Sequence, residues 1–312
     1  MPGPPTHSHW NGSDAKVVDD LHASVDEPRS DSLEFLIRHE KLDLRIFLWP
    51  SKSLLLHEET IPDRVAELKS SLLGDGVVKD PIVVDAGSRV VLDGMHRVAA
   101  LRELNSFWMP VCAVDYLNPS IKVGVWFRVF YGQVSPAQFE ATTLPSTIRM
   151  ERFSLDIMNV MDNPSVAMIF AGGDSFRLTS TTLPFHEVIK EAERCAQALR
   201  LTVAFDTEHD AIDKVLNRKA DAIMTLPKID KASIREAGLT GHPLPHKVTR
   251  HVIPARPLRV NVPLKMLADE TLQLEDANRR FVSNLRSRGT TRRPPGTVIE
   301  GRRYEEETFI FN

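Results

Sequence analysis

VVLDGMHRVAALRELN, residues 90–105, decides how the rest of the chain is read. An apolar run stops at Asp93-Gly94, and Val98, Leu101 and Leu104 then recur at the spacing of one helix face. A buried strand therefore feeds a helix through a turn that carries an acid, a glycine, an imidazole and a guanidinium. Such a helix start leaves backbone N–H groups unpaired, and the helix dipole adds partial positive charge, so the turn is a ready anion site. Gly94 lets a ligand come close to the backbone. His96 and Arg97 add directed donors, and the fork of Arg97 matches phosphate oxygens. The plainer alternative is a surface turn in which Asp93 caps the helix and His96 and Arg97 are solvated.

Outward from this turn the pattern is strand and helix in alternation. DLRIFLWP (43–50), KDPIVVD (79–85), SRVVLD (88–93) and FWMPVCAVDYL (107–117) read as strands. PDRVAELKSSLLGDG (62–76) reads as a helix, with Val65, Leu68, Leu72 and Leu73 apolar, Pro62 at its start and Gly74 at its end. The result is a small α/β domain, expected over residues 41–135. A second α/β domain is expected over 136–312. In it SVAMIFAGG, LTVAFD and ADAIMTLP are strands, PFHEVIKEAERCAQAL and DAIDKVLNRK are helices, and the alternation suggests βαβ units. Residues 1–40, rich in Pro, Gly, Ser, His and Asp, are expected to be a disordered leader, and His7 and His9 lack the partners of a metal site. The arginines of the tail, Arg286, Arg288, Arg292, Arg293, Arg302 and Arg303, read as a solvated linker.

The bulk numbers exclude several classes. With 312 residues and a net charge of −3 the chain is long enough for two cores, and it carries no overall positive field for nucleic acid or anionic membrane. No apolar run approaches the ~20 residues of a membrane helix. Cys112 and Cys195, with no CxxC, read as reduced thiols of a cytoplasmic protein. No GxxxxGK[ST] loop and no protein-kinase HRD and DFG set occur, so any use of a nucleotide needs a different fold.

LDGMHR resembles the turn of the ParB and sulfiredoxin superfamily. Met95 stands where sulfiredoxins carry their reactive Cys, and a thioether cannot be the attacking thiolate. The Arg-rich ParB version of the turn is also absent. The closer resemblance is to the free L-serine kinases of this superfamily, the archaeal ADP-dependent type and the siderophore-linked ATP-dependent type. Three pieces carry it: HEETIPDRVAEL (57–68), LDGMHRVAALRELN with Trp126, and HKVTRHVIPARPL (246–258). Two departures are Met95, where many relatives have His, and HPLPHK, where Phe-Pro-Pro-Lys is usual.

The resemblance implies phosphoryl transfer from ATP or ADP, with Mg²⁺, to the hydroxyl of L-serine, in a cleft between the two domains. Glu59, six residues before Val65, is the expected general base, with Glu58 as its rival because adjacent side chains point different ways. Asp93 is expected to orient the serine hydroxyl or to hold Mg²⁺ with the phosphates. Gly94, Met95, His96 and Arg97 would cradle the phosphates. Val65, Trp126, Lys247, Thr249, Arg250 and His251 would hold serine, Arg250 pairing with its carboxylate or with the transferred phosphate. His57 is expected to be a structural histidine. The competing reading is a ParB-like regulator that binds DNA under control of a nucleotide. The shared fold and the basic tail speak for it. The net charge and the lack of a recognisable helix-turn-helix speak against it.

Overall fold

The computed structural model describes residues 32–142, 144–154 and 165–312. His7 and His9, and most of the expected leader, lie outside these residues. The rest of that leader is not irregular: Phe35–Ile37 is a strand, paired antiparallel with Leu44–Ile46.

The first sheet has six strands, in the order Phe35–Ile37, Leu44–Pro50, Trp108–Val114, Ile82–Asp85, Val90–Asp93 and Leu55–Leu56. Ile82–Asp85 and the apolar residues Val90–Leu92 are buried on both faces, which explains why KDPIVVD and SRVVLD are continuous apolar runs rather than alternating ones. The helices Pro62–Asp75 and Met95–Glu103 pack on one another. The first starts at Pro62 as expected, but it runs through Gly74 and stops at Gly76. That glycine adopts φ 70° and returns its N–H to the Leu72 carbonyl at 2.9 Å.

The second sheet, also six-stranded, runs Ile148–Arg152, Ser175–Ser180, Val166–Phe170, Ala222–Thr225, Trp126–Tyr131 and Thr202–Thr207. Every pairing in it is antiparallel, so the expected βαβ units of adjacent parallel strands do not form. Thr202–Thr207 and Ala222–Thr225, joined by the helix Glu208–Leu216, do run in the same direction. Trp126–Tyr131 lies between them and pairs with both, so the βαβ crossover is split.

That insertion also means the sheets do not divide at residue 135, because Trp126–Tyr131 belongs to the second. The chain end returns to the first: the helix Leu274–Arg286 packs on Leu44–Pro50, and the buried Asn278 amide closes both backbone bonds of Leu48, at 2.6 and 3.1 Å. The apolar residues of both sheets form one continuous core. Cys112 and Cys195 are free and buried. No helix among the described residues is long and apolar enough to cross a membrane.

Candidate active site

The turn after Val90–Asp93 has the geometry its residue types suggest. Gly94 sits at φ 100°, and a Cβ there would press at 3.4 Å on the Arg97 guanidinium and on Ile82. No side chain caps the helix that begins at Met95, so its first N–H groups stay available. Arg97 is braced from behind, with Nη1 donating to the carbonyls of Asp80 at 2.6 Å and Pro81 at 2.8 Å. His96 does double duty: its Nε2 accepts the Ile61 N–H at 3.0 Å, which leaves Nδ1 to carry the ring proton. Burial, reinforced by the Lys247 charge, lowers the His96 pKa, so the ring is a neutral donor rather than a cation.

Asp93 is neither a helix cap nor a free carboxylate. It is ion-paired with Arg256 Nη1, whose Nε in turn donates to Glu306 at 2.6 Å. Burial opposes ionisation of Asp93, but the guanidiniums of Arg256 and Arg97 overcome that and hold its carboxyl far below the usual carboxylate range. Among the described residues no three His, Cys, Asp or Glu side chains converge as metal ligands. The protein donors therefore do not build a magnesium cage. Among the described residues the contacts of Asp93 run through Oδ2, and Oδ1 makes no hydrogen bond.

The two adjacent glutamates part company. Residues 57–59 run beside Leu244: Leu244 N–H donates to His57 O, and Glu59 N–H to Leu244 O, both at 2.8 Å. This turns Glu58 inward and Glu59 outward. Glu59 is 41% exposed, pairs with Lys190 at 3.0 Å and does not line the cavity, contrary to its expected place there. Glu58 is buried. Its Oε1 accepts the N–H groups of Val248 (3.2 Å) and Thr249 (2.7 Å) and the Thr249 hydroxyl (2.5 Å), while among the described residues Oε2 accepts only the Lys247 N–H (3.0 Å).

His57, fully buried behind Glu58, completes this group. Its Nδ1 donates to the Val91 carbonyl at 2.7 Å, and Nε2 lies 2.9 Å from Thr249 Oγ1. Burial lowers its pKa against the pull of the Glu58 charge, so the ring is neutral and Nε2 is an acceptor. The single Thr249 hydroxyl proton thus has two acceptors, Glu58 Oε1 and His57 Nε2.

The loop that carries Lys247 and Thr249 is held from the second sheet. Arg128, in the middle of the strand Trp126–Tyr131 and fully buried, donates to the carbonyls of Lys247 (2.8 Å) and His246 (3.0 Å) and pairs with Glu193 at 2.7 Å. Lys247, in the left-handed region at φ 58°, places its ammonium 4.8 Å from the centre of the Trp126 ring. Arg250 lies between Glu208 (3.2 Å) and Glu305 (3.1 Å). His251 accepts or donates with the Tyr116 hydroxyl at 2.8 Å. Burial, with the neighbouring His57 second, pulls its pKa down to about 3, so it too is neutral.

A cavity of about 550 Å³ gathers these groups. Glu58, the turn Asp93–Arg97, Trp126, Lys247, Thr249, Arg250 and His251 all line it, so the three separated pieces of sequence meet in one place. Val65, expected beside serine, is instead buried in the hydrophobic core under the helix Pro62–Asp75 and does not line the cavity. Sequence reasoning missed Arg128, Glu208 and Arg256. Arg128 and Arg256 did leave a signal: each is a lone arginine inside an apolar strand, WFRVFY and ARPL, and such a residue must be paired when buried. The tail was also misjudged as a solvated linker. Arg292 makes a two-pronged pair with Glu307 at 2.6 and 3.0 Å, Arg288 donates to four backbone carbonyls, and Arg302 and Arg303 line the cavity.

No protein-family model matches the chain. It is similar to an ATP-dependent L-serine kinase of Staphylothermus marinus, 24% identical over 221 residues, which is 69% of this chain and 88% of that protein. It is also similar to the ADP-dependent L-serine kinase SerK of Thermococcus kodakarensis, 21% identical over 225 residues, 68% of this chain and 88% of the relative. Among solved structures, a free serine kinase in complex with AMP superposes with a TM-score of 0.60 at 18% identity, covering 71% of this chain and 93% of that one, so the two share a fold.

Proposed function

We propose that this protein is a free L-serine kinase that transfers a phosphoryl group from ATP or ADP to the serine hydroxyl and releases O-phospho-L-serine. The observation that carries the reading is the convergence of Glu58, the Asp93–Arg97 turn and the Lys247–His251 loop on one cavity, in a chain similar to kinases of that name.

The free N–H groups at Met95–Arg97 and the remaining nitrogens of Arg97 receive donor phosphate oxygens, and His96 Nδ1–H adds a neutral hydrogen bond. The serine hydroxyl attacks the terminal phosphorus, and the bond to the leaving nucleotide oxygen breaks. The hydroxyl proton goes to Glu58, whose Oε2 accepts only one hydrogen bond and has a lone pair to spare. Once Glu58 is protonated, the Thr249 hydroxyl can donate to His57 Nε2 instead, so the switch in hydrogen bonding is built in. Arg250 and Lys247 suit the serine carboxylate, beside Trp126. Asp93, fixed by Arg256, orients the reacting groups as a permanent anion.

The test is direct. Purified protein, Mg²⁺ and L-serine are incubated with ATP or with ADP, and O-phosphoserine is read by mass spectrometry. Product with one donor supports the assignment, and its absence with both, in folded protein, removes it.

A further inference from the structure

The C-terminal segment beyond the helix Leu274–Arg286 returns to the cavity as part of its wall. Glu307–Phe311 joins Ala255–Leu258 as a parallel strand, with Phe309 and Phe311 buried, and Thr290–Arg293 pairs on its other side. This anchors a small hairpin of Val298–Ile299 with Arg302–Arg303. Its two turn residues, Glu300 (φ 49°) and Gly301 (φ 79°), both take the left-handed conformation that two-residue hairpins favour. The hairpin is therefore held by a built scaffold, with Ile299 packed beside Leu258, Tyr304 and Ile310, although Val298, Arg302 and Arg303 are exposed.

The charges that line the cavity are mostly consumed by one another. Asp93, Arg256 and Glu306 form one chain of ion pairs, and Arg250 sits between Glu208 and Glu305. Arg97 Nη1 serves two carbonyls. Arg302 and Arg303 differ: both line the cavity, yet neither side chain makes a hydrogen bond or a carboxylate contact among the described residues. Arg302 rests over the Tyr304 ring at 4.7 Å, and its charge is near enough to Asp93 to help hold that carboxyl low. Two unspent guanidiniums beside an anion-binding turn call for a ligand with more negative charge than the turn alone can neutralise.

We propose that Arg302 and Arg303 are the outer phosphate clamp of the donor nucleotide, so that the C-terminal hairpin sets affinity according to the number of phosphates. The proposal rests on the kinase reading above, but its test separates the two. Binding of ATP, ADP, adenosine and inorganic tripolyphosphate to the full chain is measured by calorimetry, for the wild type and for an Arg302→Gln/Arg303→Gln double variant. Thermal melts check that the exposed substitutions leave the fold intact. The expected result is binding of ATP and tripolyphosphate weakened by roughly 100-fold, that of ADP by roughly 10-fold, and adenosine unchanged. Equal affinity of variant and wild type for all four ligands overturns the clamp and leaves the kinase reading standing. An equal loss for adenosine also overturns it, because packing rather than phosphate recognition would then be at work. A wild-type chain that binds neither nucleotide nor tripolyphosphate removes both.

Discussion

Glu58 Oε1 accepts both the hydroxyl of Thr249, at 2.5 Å, and its backbone N–H, at 2.7 Å, although the two residues lie 191 positions apart in the chain. One carboxylate thus shapes the loop that holds the substrate and is positioned to take its proton. Glu58→Gln can keep its amide oxygen toward Val248 and Thr249, but its NH₂ then faces the Lys247 N–H, so the loop loses an anchor as well as its base. The expected outcome is a fall in kcat of roughly 10²–10⁴-fold, with stability lowered by about 1–3 kcal/mol from the mismatched donors. Glu59→Gln, which breaks only the exposed pair with Lys190, should change stability by no more than about 1 kcal/mol and leave kcat near wild type. Steady-state kinetics on both variants decide the matter, and a dead Glu59→Gln beside an active Glu58→Gln would reverse the assignment.

The pair of Asp93 and Arg256 yields a second prediction. Arg256→Met leaves Asp93 and Glu306 facing each other without their cation. Asp93 is 38% exposed, so water softens the loss, and the expected cost is about 2 kcal/mol in a urea titration. Adding Asp93→Asn to that variant removes the unpaired charge. The double variant should recover part of the stability and none of the activity. Strict additivity of the two substitutions would show that the pair is not coupled.

Much of this was legible in the sequence where the signal is local. The strand into Asp93-Gly94, the helix from Met95 and the strands 44–50, 82–85 and 108–114 follow from runs and periods that a few residues carry. What could not be read is long-range. Whether Glu58 or Glu59 faces inward is set by backbone pairing with Leu244, far along the chain. The order of the second sheet depends on Trp126–Tyr131 being inserted between two later strands, and no period encodes that. Arg302 and Arg303 look like a linker because their meaning comes from the register of Glu307–Phe311 on Ala255–Leu258.

Stability should fall with acidity in a window set by the histidines. Burial lowers the folded-state pKa of His57, His96 and His251, the last to about 3. Each is neutral when folded, whereas the unfolded chain protonates them near pH 6.5. Unfolding therefore takes up protons below about pH 6.5, and each fully shifted histidine costs about 1.4 kcal/mol per pH unit down to its folded pKa. Asp93 works in the same direction, but only below about pH 4, where the unfolded carboxylate begins to titrate. Urea titrations between pH 7.5 and 5 should show the decline, and His251→Gln should make it shallower. A stability that is flat across this range would show that the buried rings take up protons as readily as those of the unfolded chain.

Gly124 offers a test of how Arg250 is held. A Cβ at this position would lie 2.6 Å from Glu208 Oε1, closer than any real contact, so Glu208 has to move. That carboxylate is buried, accepts the Val125 N–H at 2.9 Å and holds Arg250 Nη2 at 3.2 Å. Gly124→Ala is therefore expected to cost about 1–3 kcal/mol from overpacking and from the lost acceptor of Val125. It should also raise the KM for serine more than that for nucleotide, because Arg250 is freed at the substrate end of the cavity. Glu208→Gln separates the two effects: it keeps an acceptor for Val125, removes the charge that faces Arg250, and should reproduce the KM change with less loss of stability. If Gly124→Ala melts and turns over like the wild type, Glu208 is not what positions Arg250.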